Sequence, residues 1–123
     1  MTYNLTIPGK LHSLNEYIGS CRRNAYQGAQ MKRKDQQLIE WYIRSQLRGI
    51  RLKKPVRMSY RWYEPNRKRD LDNIAGYGHK ICQDALVNCR VIENDGWRYV
   101  VGFSDDFYVD KKNPRIEITI QET

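Results

Sequence analysis

Hydrophobic and polar positions fall into blocks of distinct period along the chain. Tyr3, Leu5 and Ile7 alternate with Asn4 and Thr6, which predicts a half-buried strand ended by Pro8-Gly9. From Lys10 to Lys34 no period holds, and the stretch reads as a long irregular segment. Leu38, Ile39, Tyr42, Ile43 and Leu47 then recur at three- and four-residue spacing. That is one apolar stripe on a helix capped by Asp35, running to about Arg48 and stopped by Gly49. Val56, Met58, Tyr60 and Trp62 alternate with Arg57, Ser59 and Arg61, a second strand whose outward arginines predict a basic exposed face or edge.

A further helix is predicted from about Asn73 to Val87, with Ile74, Tyr77, Ile81 and Ala85 on one face. Gly76 and Gly78 weaken it by up to about 1 kcal/mol each relative to Ala, so close packing or a close ligand is expected there. Trp97, Tyr99, Val101 and Phe103 form a third alternating run, and Ile116, Ile118 and Ile120 a fourth. The order β-α-β-α-β-β implies an α/β fold of the α+β kind, a two-layer sandwich of a mixed or antiparallel sheet with two helices. No repeat or low-complexity segment interrupts it.

At 123 residues the chain is read as a single domain over 1–123. An apolar fraction of 40% leaves a small core, and a dimer interface is a natural way to bury more. No apolar run approaches 18 residues, and the N-terminus is too short and polar for a signal peptide, so a cytoplasmic protein is expected. Cys21, Cys82 and Cys89 lack C-x-x-C spacing; the last two, seven apart, would stand about 10 Å from each other on one helix. They read as reduced thiols.

Charge narrows the function. Lys and Arg total 22 against 14 Asp and Glu, a net +8, which favours a polyanionic partner, nucleic acid first and an acidic membrane surface second. Arg22, Arg23, Lys32, Arg33 and Lys34, with Asn15, Tyr17, Asn24 and Tyr26 between them, give the irregular segment the composition of a phosphate-contacting arm.

The candidate chemistry lies between Asn66 and Gly96. Arg67-Lys68-Arg69 leads into Asp70-Leu71-Asp72-Asn73, where residues two apart point the same way and two carboxylates can face one hard cation. The alternative is helix capping. A third acid is expected; Asp95 competes with Glu93, Asp105 and Asp106, and Asn94-Asp95-Gly96 is also ordinary turn chemistry. Lys80 can stabilise a phosphorane-like transition state or simply pair with Asp84 at i+4. His12 and His79 sit in no metal-ligand spacing and read as surface or packing residues.

Together, Arg69-Asp70-Leu71-Asp72-Asn73, Lys80, Asp84-Ala85-Leu86, Val91-Ile92 and Asp95 resemble the RusA family of Holliday junction resolvases. Ser13-Leu14-Asn15-Glu16-Tyr17 is similar to that family's short motif after the first strand. The resemblance implies metal-binding carboxylates at Asp70, Asp72 and Asp95 and a catalytic lysine at Lys80. It also implies a homodimer, Mg²⁺ with Mn²⁺ as a possible substitute, and paired incision of four-way DNA. DNA contacts are expected from Arg67, Lys68, Arg69, Asn73, Asn15, Arg22, Arg23, Lys32 and Arg33. One departure is that the chain between Asn73 and Lys80 is about one helical turn longer than the shortest family version. A non-catalytic nucleic-acid-binding module and a nuclease of other branched DNA are the competing expectations.

Overall fold

The structure, a computed structural model, describes residues 1–123. Seven elements follow one another: β1 (Thr2–Pro8), α1 (Leu14–Arg23), α2 (Ala25–Gln46), β2 (Val56–Glu64), α3 (Leu71–Asn88), β3 (Val100–Val109) and β4 (Arg115–Glu122). The strands form one sheet in the order β1-β4-β2-β3. β4 is antiparallel to both β1 and β2, while β3 lies parallel to β2. The sheet is mixed, as expected, and it carries three helices rather than two.

The alternating runs place the core. Leu5 and Ile7 on β1, Val56, Met58, Tyr60 and Trp62 on β2, and Ile116, Ile118 and Ile120 on β4 are all buried. They join Ile39, Ile43 and Leu47 of α2 and Ile74, Tyr77, Ile81, Cys82, Ala85 and Leu86 of α3 in one cluster. Gly78 lies directly under the Trp62 ring, which a Cβ would strike, so close packing is the reason this helix accepts that glycine.

The segment from Lys10 to Lys34, expected to be irregular, is mostly helical. Ser13 and Glu16 form a reciprocal cap: the Glu16 N–H donates to Ser13 Oγ (3.1 Å) and the Ser13 N–H to Glu16 Oε1 (3.0 Å). Asn24 breaks the chain in extended geometry, and its Oδ1 accepts from the Gln27 N–H (2.8 Å) to start α2. Residues 21–27 are exposed, so no apolar period marks these turns. Asp35 is therefore no cap. It is buried inside α2, accepts a hydrogen bond from the Tyr77 hydroxyl (2.8 Å) and meets His12 Nδ1 at 2.8 Å.

The third strand also begins later than predicted, at Val100, and it contains Asp105 and Asp106 rather than ending before them. It is an edge strand, so its alternation is only half enforced by burial. The outer sheet face is less basic than its arginines suggest. Arg61 and Arg115 both donate to Glu117 (3.1 and 2.8 Å), and Arg115 also reaches Asp110 at 2.9 Å. The hydrogen bond from Arg115, with Arg61 beside it, holds the Glu117 carboxyl below its ordinary value. Cys21, Cys82 and Cys89 are free thiols, and burial pushes the Cys82 pKa up to about 12.

Candidate active site

β2, α3 and β3 make a parallel crossover unit, which sets where each acid can stand. α3 leaves the C-terminal end of β2 and runs back, so that β3 can start beside Val56. Asp70 is the N-cap of α3 and Asp72 lies in its first turn. Residue 70 has extended geometry and its carboxylate makes no capping bond; the Asp70 carbonyl alone takes the Asn73 and Ile74 N–H groups at 3.1 Å. Both side chains are exposed, with no cation of the chain within ion-pair distance. The positive end of the helix dipole favours them there.

The floor beneath this pair is stitched from distant segments. Arg69 donates two parallel hydrogen bonds to Glu64, Nε to Oε1 at 3.0 Å and Nη2 to Oε2 at 3.1 Å, and a third to the Leu11 carbonyl at 2.8 Å. Glu16 stands 3.7 Å from the same guanidinium. Burial would raise the Glu16 carboxyl, but the Ser13 hydrogen bonds, with His12 and Arg69 nearby, bring it below its ordinary value. Asn73 Oδ1 accepts from the Asn15 N–H at 2.8 Å, docking the start of α1 on the start of α3. Asn15, Arg69, Asp70, Asp72 and Asn73 thus share one locality. Arg69, with a side chain only 14% exposed and fully engaged, has little left to offer a phosphate. Arg67 and Lys68 are exposed. A groove of about 650 Å³ opens beside them, lined by Arg67, Asp70, Leu71, Ile74, Phe107 and Val109 among others.

Lys80 and Asp95 stand elsewhere. Lys80 lies eight residues past Asp72, about 12 Å along the helix, and its ammonium leans further on, to Asp84 (3.2 Å) and Asp95 (3.8 Å). Lys32 of α2 takes the other Asp84 oxygen at 3.4 Å. The Asp84 hydrogen bond and charge, with Asp95 behind them, raise the Lys80 pKa, so the ammonium persists well above neutrality. Lys80, Asp84 and Asp95 line a second, polar cleft with Gln36, Asn88 and Asn94.

Within one chain the three aspartates do not meet, and no three His, Cys, Asp or Glu side chains gather closely enough to hold a metal ion. Asp70 and Asp72 are carboxylates without a cation in the chain, and Mg²⁺, which keeps several waters, needs only one or two carboxylates together with substrate phosphates. Of the basic arm, Lys32 is paired, Arg23 donates to Ser20 Oγ (3.2 Å), and Arg22 and Arg33 are exposed on α1 and α2.

Sequence reasoning missed one further cluster. His79 Nε2 and Trp62 Nε1 both lie 2.7 Å from Asp105 Oδ1, tying the middle of α3 to the edge strand. His79 packs between Tyr60 and Phe103, with ring centroids 4.7 and 4.4 Å away. It is a packing residue, as expected, and its partner Asp105 was hidden by the mistaken end of β3.

A family model described as Endodeoxyribonuclease RusA matches residues 8–121 of the chain. No curated protein matches it.

Proposed function

The chain belongs to the RusA endodeoxyribonuclease family, and from that premise we propose that it is a Mg²⁺-dependent, structure-specific endonuclease acting as a homodimer on four-way DNA. The single observation that carries the reading is the Asp70–Asp72 pair, two exposed carboxylates without a cation of their own at the head of α3. Two exposed carboxylates close in the chain, with no cation within ion-pair distance, are available to a cation from outside it. In this reading residues 1–123 act as one catalytic domain.

Asp70 and Asp72 would hold the metal; Asp95, which stands apart from them within one chain, is the third acid that the family resemblance assigns to the set. Bound there, a divalent ion supplies Lewis acidity toward a phosphoryl oxygen and lowers the pKa of water. The remaining work belongs to the chain. Arg69 fixes the loop that carries Asp70 through Glu64 and the Leu11 carbonyl. Lys80, kept protonated by Asp84 and Asp95, offers a positive charge to a developing phosphorane-like oxyanion. Arg67, Lys68, Arg22 and Arg33 are exposed and hold phosphates without reading bases, with Asn15 and Asn73 nearest the acids. Lys32, Arg23 and Arg69 act on DNA only by giving up present partners.

The test is incubation of labelled four-way, flap and linear DNA with and without Mg²⁺, read on a denaturing gel. Paired symmetric nicks in the four-way substrate support the reading. Cutting confined to flaps moves it to other branched DNA. Salt-sensitive binding with no product in any lane would leave a non-catalytic binding module.

A further inference from the structure

Trp97 is 96% exposed, more than any other large apolar side chain. Trp62 is buried and donates to Asp105, and even the exposed Trp41 packs edge-on against Tyr42 at 4.9 Å. Trp97 has no such support, yet the turn that carries it is tied down. The Tyr99 and Val100 N–H groups both donate to the Gly96 carbonyl (2.9 Å each), and the Gly96 N–H donates to Asn94 Oδ1 (3.0 Å). The Tyr99 carbonyl in turn accepts from the Val56 N–H (2.8 Å). A ring held out on a fixed turn gives up little freedom when it meets a partner.

Cations collect around this turn. The Leu52 N–H donates to the Val91 carbonyl (2.8 Å), so the connector Arg51-Leu52-Lys53-Lys54-Pro55 runs beside the segment from Arg90 to Tyr99. Arg51, Lys53, Lys54, Arg90 and Arg98 are exposed, and none has an acid within ion-pair distance. Arg51, Lys53 and Arg90 line a cleft of about 330 Å³ in which Glu93 is the one acid. The C-terminal end of α3 favours positive charge nearby, but that does not account for the backbone of Arg90. Its φ is 62°, just past the Cys89 cap, where glycine is the relaxed choice. An arginine kept there against backbone strain points to a use for its charge.

A flat aromatic face standing free among unpaired cations matches a single polynucleotide strand, with a base stacked on the ring and the flanking phosphates on the cations. Linear duplex hides its base faces in its own stack, whereas a branch point or flap uncovers them. We propose that Trp97, Arg51, Lys53, Arg90 and Arg98 form a single-strand DNA site at the C-terminal end of α3, the indole stacking on an unpaired base. The site rests on the nuclease reading for its choice of DNA, and Trp97 lies two residues from Asp95, so a strand held here passes the Lys80–Asp95 cleft.

Binding is read without Mg²⁺, so that it does not depend on cutting. Fluorescent oligo(dT) and a linear duplex of equal length are titrated with wild type, W97A, W97F and R90G by anisotropy. W97A is expected to bind oligo(dT) about tenfold more weakly, the loss typical of one base–aromatic stack, with duplex binding within about twofold of wild type. W97F should recover most of the loss. R90G should unfold at the same temperature or higher, while the slope of log affinity against log salt for oligo(dT) falls by about 0.7, one phosphate on a single strand. Unchanged oligo(dT) affinity in W97A, or an equal loss for strand and duplex, overturns the site. So does a changed oligomeric state in W97A with strand affinity intact, which would make the indole a protein contact. An unchanged salt slope in R90G overturns the part given to Arg90. Nicking of four-way DNA by wild type with Mg²⁺ is scored in parallel. Cutting without any role for Trp97 in strand binding sinks this site alone, and strand binding through Trp97 without cutting sinks the nuclease reading alone.

Discussion

At the head of α3, Asp70 and Asp72 stand exposed with no cation of the chain against them; a little over three turns on, Asp84 meets the ammonium groups of Lys80 and Lys32, and Asp95, beyond the helix, meets that of Lys80. Both ends carry acids, yet only the second, where Asp84 and Asp95 are half-buried, has settled its charge internally. Paired acids on a surface are worth little to stability, a median near 0–1 kcal/mol, and are already occupied. Unpaired ones are held in place by the rest of the fold and remain free to take a ligand. The Arg69–Glu64–Leu11 network does that holding, although it touches neither carboxylate.

The largest effect expected separates the two ends outright. Asp70→Asn or Asp72→Asn should abolish Mg²⁺-dependent cutting while thermal stability stays level or rises and junction binding persists or tightens, since a charge that repels DNA is gone. Wild-type turnover by either variant would erase the distinction. Lys80→Ala should slow cleavage by about 10²-fold, the cost typical of losing one group that stabilises transition-state charge, with little change in affinity; normal single-turnover rates would return Lys80 to the helix surface. Arg69→Ala, by leaving Glu64 buried without its cation, should cost about 3 kcal/mol in urea unfolding, whereas Arg67→Ala should cost almost nothing and only weaken DNA binding.

The core between α3 and β2 sharpens the contrast through pH. Burial raises the pKa of Tyr60 and Tyr77, with ordinary values near 10.0, and of Cys82, ordinarily near 9.0. Above pH 9 the unfolded chain releases these protons while the folded chain keeps them, so stability is full below that point and falls as pH rises toward 12. Urea midpoints measured from pH 8 to 11 should decline equally in wild type and in Asp72→Asn, because that substitution touches none of these buried groups. The smallest effect belongs to Asp84→Asn: under about 1 kcal/mol in stability, with Lys80 losing its main partner and its raised pKa. A large loss of stability would mean that the paired end is structural after all.

Legibility follows burial. Strands β2 and β4 have one face sealed by helices, and their alternation in Val56–Trp62 and Ile116–Ile120 shows in the residues alone. α1 and the start of α2 touch the core at few points, so their helical signal is confined to caps. Ser13 with Glu16 and Asn24 with Gln27 carry that signal, but two caps without an apolar stripe do not announce helices of this length. The candidate acids are found by motif and resemblance. What the motif does not say is that a helix as long as α3 carries Asp70 and Asp95 apart, because spacing along a chain fixes separation in space only once the intervening element is known to be rigid. The sign of Arg69 assigns it to phosphate; its burial and its bidentate bond to Glu64 depend on a strand end and a loop that adjoin only in the fold.

The order of the sheet has one more implication. β4, the last element in the order, sits between β1 and β2 and is the strand that joins them. During synthesis, then, the scaffold under α3 stays split until residues 115–122 have left the ribosome. Truncation before Arg115 should therefore yield not a weakened protein but an unfolded one.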